Sequence, residues 1–190
     1  RKRYEDPNHP DERFGYIDDE VDRLNGILTG YLQFARDEPP RLAELDLVAL
    51  LQRSLQSLAP ELDGAGVQLE TALPAACVVR GDAQRLQQVI LNVVLNAVQA
   101  QPAGGALRVE LTVADGRARL ACTDRGPGFD AAVRDRLFEP FVTTKEQGSG
   151  LGLAAARRIV EQHGGTIAAR DAAGGGARLE IDLPLDSGRS

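Results

Sequence analysis

The chain has 190 residues, is 43% hydrophobic and carries a formal net charge of −6 at pH 7. This length allows one substantial domain with a small additional element, and the apolar fraction is sufficient for a packed core. Because the net charge is negative, the chain offers no basic field for nucleic acid or for an anionic membrane surface, which argues against both classes of partner.

Cysteine and histidine are too scarce for a disulfide framework or a metal cage. Cys77 and Cys122 lie in apolar, strand-like runs and are predicted to be buried free thiols. We interpret His9 as a solvated loop residue and His163, which precedes a Gly-Gly pair, as the end of a helix. No apolar run is long enough to cross a bilayer, which predicts a soluble, cytoplasmic chain and leaves open a membrane-anchored parent protein.

The N-terminal part of the chain predicts a leader and a helix. Residues 1–13 are charged and lack periodicity, which is typical of a polar loop. From Ile17 to Ala35, apolar residues recur at alternating steps of four and three, the pattern of a coiled coil or helical bundle. We therefore expect residues 14–40 to contain a helix that two prolines end. This helix is predicted to mediate a homodimer or to form one half of a helical hairpin. The alternative is that the helix packs on the domain that follows.

The rest of the chain predicts one α+β domain. Asp46 is the predicted N-cap of a helix whose end Pro60 follows, Asp82 is the predicted N-cap of another helix, and the Asp115-Gly116 pair predicts a type I′ hairpin. The predicted strands are residues 67–71, 77–80, 107–113, 118–122, 166–170 and 179–183, and the last predicted helix is residues 153–163. Helices on one face of a mixed, mostly antiparallel sheet make a two-layer α/β sandwich.

Two glycine clusters flank a segment that contains phenylalanine, threonine and lysine. The first lies at residues 124–128 and the second at residues 148–152, directly before the last predicted helix. Glycines at this spacing let the backbone approach a ligand and leave the N–H groups of a helix N-terminus free for phosphates. Because glycine pairs also occur in ordinary turns, one cluster alone would be weak evidence. Two clusters and an asparagine-bearing helix together predict a nucleotide site.

That helix begins after Asp82 and carries Asn92 and Asn96, four residues apart and therefore on one face. Asparagine is mostly exposed in proteins, so one interpretation is a solvated helix face. The other is that an amide oxygen binds Mg²⁺, a hard cation that takes oxygen ligands and shares them with substrate phosphates. The glycine clusters downstream favour the magnesium interpretation.

The order of these motifs resembles the N, G1, F and G2 boxes of bacterial sensor histidine kinases, which share an ATPase fold with gyrase, Hsp90 and MutL. The matching segments are residues 92–96, 124–128, 137–145 and 148–152. The resemblance implies a Bergerat-type ATP-binding catalytic domain at residues 45–185, with residues 186–190 as a tail. It also implies that residues 14–40 contain the second helix of a dimerisation and phosphotransfer hairpin. The sequence after Asn96 is similar to that of the nitrogen-regulation type of sensor kinase.

The resemblance also implies roles for single residues. Asn96 would bind Mg²⁺, and Asp124 would accept a hydrogen bond from the adenine amino group of ATP. Asn92 stands where ATP-hydrolysing relatives have a glutamate that activates water. Because an amide cannot take that proton, this residue implies phosphate transfer to a protein nucleophile instead of to water.

The F and G2 boxes imply a lid over the phosphates. Phe138 and Phe141 would anchor the near end of the lid, residues 142–149 would close it, and Lys145 would reach a phosphate oxygen. The remaining nucleotide contacts that the resemblance implies are Gly126, Gly128, Thr144, Gly148, Gly150, Leu151, Gly152 and Leu153.

A sensor histidine kinase also needs a phosphoacceptor histidine followed by an acidic residue, and no such pattern is visible. We therefore expect the acceptor to lie upstream of this chain, and the phosphate to pass from it to an aspartate in the receiver domain of a response regulator. The alternatives are a nucleotide-binding scaffold without catalysis, an ATP hydrolase and a serine kinase of the anti-sigma type. The glycines disfavour the scaffold, Asn92 disfavours the hydrolase, and the N-terminal helix disfavours the serine kinase.

Overall fold

The computed structural model describes residues 38–130, 132–145 and 148–186. Its helices are α1 (Leu47–Ser57), α2 (Ala59–Gly64), α3 (Ala83–Gln99) and α4 (Gly152–Gln162), with a 3₁₀ turn at Arg134–Arg136. Its strands are β1 (Ala43–Asp46), β2 (Val67–Ala72), β3 (Val78–Gly81), β4 (Gly105–Ala114), β5 (Arg117–Thr123), β6 (Thr166–Asp171) and β7 (Ala177–Pro184).

Five strands form the main sheet in the order β2-β4-β5-β7-β6. The pair β2–β4 is parallel, and the pairs β4–β5, β5–β7 and β6–β7 are antiparallel. One face of the sheet is apolar, with Leu107, Val109 and Leu179 buried under the helices. The opposite face carries ion pairs such as that of Arg178 with Glu110. The predicted two-layer sandwich with a mixed, mostly antiparallel sheet is confirmed.

Helix α3 lies at the centre of the helical layer, between α1 and α4. Its side chains at the predicted apolar positions are buried: Leu86, Val89, Ile90, Val93 and Ala97. Both predicted caps are present. The Asp46 carboxylate accepts the N–H groups of Val48 and Ala49, and that of Asp82 accepts those of Gln84 and Arg85. These bonds satisfy N–H groups that have no partner inside the helix, and so they determine where each helix begins.

Three short elements were not predicted: strand β1, helix α2 and the 3₁₀ turn at Arg134–Arg136. Strand β1 pairs with β3 in a separate two-stranded sheet, and its four residues are too few to show alternation. The second element is α2, which has Pro60 in its first turn. Our interpretation that Pro60 follows the end of a helix was incomplete, because α1 ends at Ser57 and Pro60 is the second residue of α2. Proline is tolerated there because the first N–H groups of a helix have no partner within it.

The turns follow their local chemistry. Asp115 and Gly116 have φ of 53° and 70°, as the predicted type I′ turn between β4 and β5 requires. Cys77 and Cys122 are buried free thiols, as predicted, and burial raises the pKa of the Cys122 thiol to about 12. A thiol with so high a pKa is an unreactive core residue.

Other predictions lie partly or wholly outside the described residues. This applies to the leader at residues 1–13, to the tail after residue 186, and to all but the last three residues of the predicted helical segment 14–40. Residues 38–40 are not helical. Among the helices that the structure describes, none has the length and apolarity needed to span a membrane.

Candidate functional site

The two asparagines of α3 are partly exposed and make hydrogen bonds with residues of the two segments that follow the first glycine cluster. The Asn92 side chain donates a hydrogen bond from Nδ2 to the carbonyl oxygen of Gly152, at 3.0 Å. The Asn96 side-chain oxygen accepts a hydrogen bond from the ammonium of Lys145, at 2.7 Å. The structure therefore brings together four of the predicted site residues: two from α3, one from the segment between the glycine clusters and one from the start of α4.

Among the described residues, the ammonium of Lys145 makes its hydrogen bonds to oxygen atoms. Its Nζ also donates to the side-chain oxygen of Gln99, at 2.9 Å, and to the backbone carbonyl of Asn96, at 3.4 Å. Burial lowers the pKa of the Lys145 ammonium, and the negative charge of Asp124 partly opposes that shift. The half-buried ammonium thus contacts uncharged amide oxygens at the C-terminal end of α3. The carbonyl groups at that end of a helix carry partial negative charge, which favours a cation.

These oxygens are suitable ligands for Mg²⁺, which prefers oxygen and usually completes its coordination with water and phosphate. Within the described residues, no three His, Cys, Asp or Glu side chains are grouped so that they could hold a metal ion. Asn96 is therefore a fitting ligand for a metal that a nucleotide brings with it.

Asp124 follows β5 and is only 4% exposed. Its Oδ1 accepts hydrogen bonds from the backbone N–H groups of Gly126, at 2.9 Å, and of Ala177, at 3.0 Å. Its own N–H donates to the carbonyl oxygen of Ala177. None of the hydrogen bonds seen among the described residues uses Oδ2. One carboxylate oxygen is thus fixed by backbone, and the other is available to a donor on a ligand.

Ala177 and Gly176 are site residues that the sequence analysis did not find. Strand β7 pairs with β5 so that Arg178 lies opposite Thr123, which places Ala177 beside Asp124. Gly176 has φ of +94°, and a Cβ there would lie 2.0 Å from the carbonyl oxygen of Asp124. The available signal is the glycine run at residues 174–176, which directly precedes an alternating strand.

The two phenylalanines behave differently. Phe138 packs against the core, whereas Phe141 is 59% exposed and has φ of +66°. The Phe141 side chain therefore does not pack on the core in this structure, and its role in anchoring the lid stays a prediction. The backbone makes a connection to the second glycine cluster, because the N–H of Phe141 donates to the carbonyl of Gly150. A Cβ on Gly150 would lie 2.6 Å from the backbone of Phe141, so this approach requires glycine.

Helix α4 begins at Gly152, one residue before the predicted start, and no side chain caps its N-terminus. The first N–H groups of this 11-residue helix are thus open to an anion. Leu151 is buried and Leu153 packs against the core, so these two residues can contribute only backbone to a ligand. Gly148 is tied to the lid segment through a hydrogen bond from its N–H to the carbonyl of Lys145, while Thr144 is exposed.

His163 ends α4, as predicted, and is 5% exposed. Its Nε2 accepts the N–H of Asp82 at 3.0 Å, so the neutral ring carries its proton on Nδ1, 2.7 Å from the carbonyl of Ile159. Burial lowers the pKa of His163, and the positive charge of Arg85 adds to that shift. The Ile159 carbonyl and the negative charge of Asp82 oppose it. With both nitrogens occupied, this histidine is a structural residue.

Comparisons with known proteins agree with the predicted family. Residues 81–187 match the model of the family described as "Histidine kinase-, DNA gyrase B-, and HSP90-like ATPase". The chain is 38% identical over 169 residues to the sensor histidine kinase ZraS of Klebsiella oxytoca, a match that covers 88% of this chain and 37% of ZraS. The chain thus spans little more than a third of that relative.

Two solved structures are similar to the whole domain. The mycobacterial sensor histidine kinase MprB superposes with a TM-score of 0.69 at 34% identity, covering 76% of this chain and 97% of MprB. Full-length ShkA in complex with AMPPNP superposes with a TM-score of 0.76 at 29% identity, covering 90% of this chain and 37% of ShkA.

Proposed function

This chain belongs to the histidine kinase-, DNA gyrase B- and HSP90-like ATPase family, and we propose that it binds ATP with Mg²⁺ as the catalytic region of a sensor histidine kinase. The observation that carries the proposal is the Asp124 carboxylate, which is buried, fixed through Oδ1 and open at Oδ2. A carboxylate held in this way selects for a ligand that offers a hydrogen-bond donor at one position.

Adenine offers that donor through its amino group, whereas guanine has a carbonyl oxygen at the corresponding position. An oxygen facing Asp124 would leave two acceptors unpaired, which costs about 1 to 3 kcal/mol for a buried group. We therefore expect adenine nucleotides to bind more tightly than guanine nucleotides. The similarity to ShkA, whose structure contains AMPPNP, supports this assignment.

The phosphates would lie between α3 and the open N-terminus of α4. There the backbone N–H groups at Gly152 and Leu153 would donate to phosphate oxygens, Asn96 would hold Mg²⁺, and Lys145 would supply a second positive charge. The metal would neutralise charge on the phosphate oxygens during transfer. Most of the catalytic effect would come from positioning and from this charge neutralisation.

Asn92 supports transfer of phosphate to a protein instead of to water. Its Nδ2 donates to the carbonyl of Gly152, and an amide does not accept a proton from water at neutral pH. His163 is not a suitable acceptor, because it is buried and both of its ring nitrogens are engaged. We propose that the acceptor is a histidine outside the catalytic domain, that the phosphate then passes to the receiver domain of a response regulator, and that residues 14–40 mediate a homodimer.

Calorimetric titration of the chain with ATP and GTP, each with and without Mg²⁺, tests the proposal. We expect ATP to bind at least tenfold more tightly than GTP, and Mg²⁺ to strengthen ATP binding. Equal affinity for both nucleotides, or no binding at millimolar concentration, would contradict it. Rapid release of phosphate from ATP without a protein acceptor would instead favour an ATP hydrolase.

A further inference from the structure

Gln101 is a buried polar residue for which the proposed chemistry has no role. It follows Ala100, the residue that caps the C-terminus of α3, and is 3% exposed. Its Nε2 donates to the carbonyl of Ala97 at 3.3 Å, and its Oε1 accepts the backbone N–H of Arg125 at 3.2 Å. The side chain therefore connects the end of α3 to the residue that directly follows Asp124.

The turn at residues 124–126 is thus held from two sides. Strand β7 holds it through Ala177, which donates its N–H to Asp124 Oδ1. The end of α3 holds it through the Gln101 amide and also touches it directly, because a Cβ on Gly126 would lie 2.7 Å from the carbonyl of Ala100. Two consecutive backbone N–H groups are used in this turn. That of Arg125 donates to Gln101, and that of Gly126 donates to Asp124.

A neighbouring glycine leaves room for this amide. A Cβ on Gly105, the first residue of β4, would lie 2.2 Å from Oε1 of Gln101. The side chain is therefore enclosed by α3, by the start of β4 and by the turn after β5. Enclosure on three sides fixes the direction in which Oε1 points.

We propose that Gln101 is a positioning residue for base recognition, which orients the turn at residues 124–126 so that Asp124 Oδ2 faces the base. This inference rests on the proposed function, because it concerns the specificity of the same nucleotide site. Gln101 does not touch the ligand; it acts through the Arg125 N–H. Loss of its oxygen would release one side of the turn while leaving the phosphate-facing part of the site unchanged.

The test compares Gln101→Met, which removes both hydrogen bonds at similar length, with Gln101→Glu, which keeps an oxygen acceptor for Arg125. The quantity measured is the ratio of ATP to GTP affinity with Mg²⁺ present. We expect Gln101→Met to lower this ratio on the order of tenfold by weakening ATP binding, with GTP affinity unchanged. Gln101→Glu should keep a ratio closer to that of the original chain.

Ser54→Ala is the matched control. Ser54 is fully buried in α1 and donates to the carbonyl of Leu50, so its loss removes a buried hydrogen bond away from the nucleotide site. It should lower thermal stability without changing the ATP to GTP ratio. A folded Gln101→Met variant with an unchanged ratio would overturn the inference. So would a change in the ratio for Ser54→Ala of the same size as for Gln101→Met.

A second variant covers the case in which Gln101→Met does not fold. Gly105→Ala keeps Gln101 but places a methyl group against its Oε1, and should lower the ratio in the same direction. The NMR chemical shifts of the Arg125 and Gly126 amides, recorded without nucleotide, test the positioning role of Gln101 separately from the proposed ATP-binding function. If the original chain fails to select ATP, the proposed function fails; if these shifts do not move in the Gln101 variants, the positioning role fails.

Discussion

The ammonium of Lys145 lies 2.7 Å from the side-chain oxygen of Asn96, the atom that we propose as the ligand of Mg²⁺. A cation of the chain itself therefore lies on the oxygen that we propose for the metal, with Gln99 as a further partner. Binding of ATP with Mg²⁺ would exchange one cation for another on the same oxygen. The displaced ammonium is tethered to the lid segment and would then be free to approach a phosphate.

Lys145→Met tests the role of this ammonium. We expect ATP affinity to fall on the order of tenfold or more, because a hydrogen bond to a charged group contributes about 1.5 to 3 kcal/mol. Adenosine affinity should stay unchanged, because Asp124 recognises the base without Lys145. Calorimetric titration with both ligands measures this. Arg119→Met, on the opposite face of the sheet, is the control; an equal loss for ATP and adenosine in Lys145→Met would contradict the assignment.

Asp124→Asn should reverse the preference for the base. If the amide oxygen keeps the two backbone hydrogen bonds of Oδ1, the amide nitrogen replaces Oδ2 and offers a donor to the ligand. The amide nitrogen of the variant would then face the adenine amino group, and both groups are donors. The guanine carbonyl oxygen, in contrast, could accept a hydrogen bond from that amide nitrogen. We expect ATP affinity to fall roughly tenfold or more and GTP affinity to rise. Competition binding of the two nucleotides measures this, and an unchanged ATP affinity would show that Asp124 does not contact the base.

Gly176→Ala should abolish nucleotide binding, because its Cβ would lie 2.0 Å from the carbonyl of Asp124. Gly174→Ala is a close control. Its φ of +97° is nearly the same as the +94° of Gly176, but nothing lies within 4 Å of its Cβ. Both variants carry a strain cost of about 1 kcal/mol or more from the positive φ, seen as lower stability. Only Gly176→Ala should lose ATP affinity; equal affinities in the two variants would contradict the role of this contact.

The stability of the domain should fall as the pH falls below about 6.5, the usual pKa of histidine. Burial lowers the pKa of His163 in the folded state, so the unfolded chain binds the proton first. The stability that neutral, buried His163 contributes is therefore fully present above the pKa of histidine in the unfolded chain. It is lost as the pH falls toward the lowered pKa of His163 in the folded state. Urea unfolding of the original chain and of His163→Gln at pH 7.5 and pH 5.5 measures this. The variant should show a smaller decrease in unfolding free energy, and equal decreases would contradict the prediction.

Features that depend on neighbouring residues were predictable from the sequence. Asp46 and Asp82 cap helices because their carboxylates reach N–H groups two and three residues ahead. The Asp115-Gly116 turn follows from the positive φ that its two residues tolerate. The alternation of β4 and the helical spacing of α3 likewise determine which side chains are buried. These local features made the mixed sheet and its helical layer predictable from the sequence.

Short elements and backbone contacts were harder to predict. Strand β1 has only four residues, and the exposed Phe141 carries the same sequence signal as a buried aromatic residue. Its contact with Gly150 is made by backbone atoms, which every residue has. A pattern of side chains therefore could not show that the lid is joined to the second glycine cluster through the main chain.

The sequence by itself determined the longer helices and strands, their apolar faces and the order of the four motifs, because each depends on chemistry within a few residues. Only the tertiary structure decided which distant residues share the site. Strand pairing placed Ala177 against Asp124, 53 residues away, and folding of the lid segment onto α3 placed Lys145 on Asn96. Such contacts depend on strand register and helix packing, which belong to the whole chain and leave no local pattern.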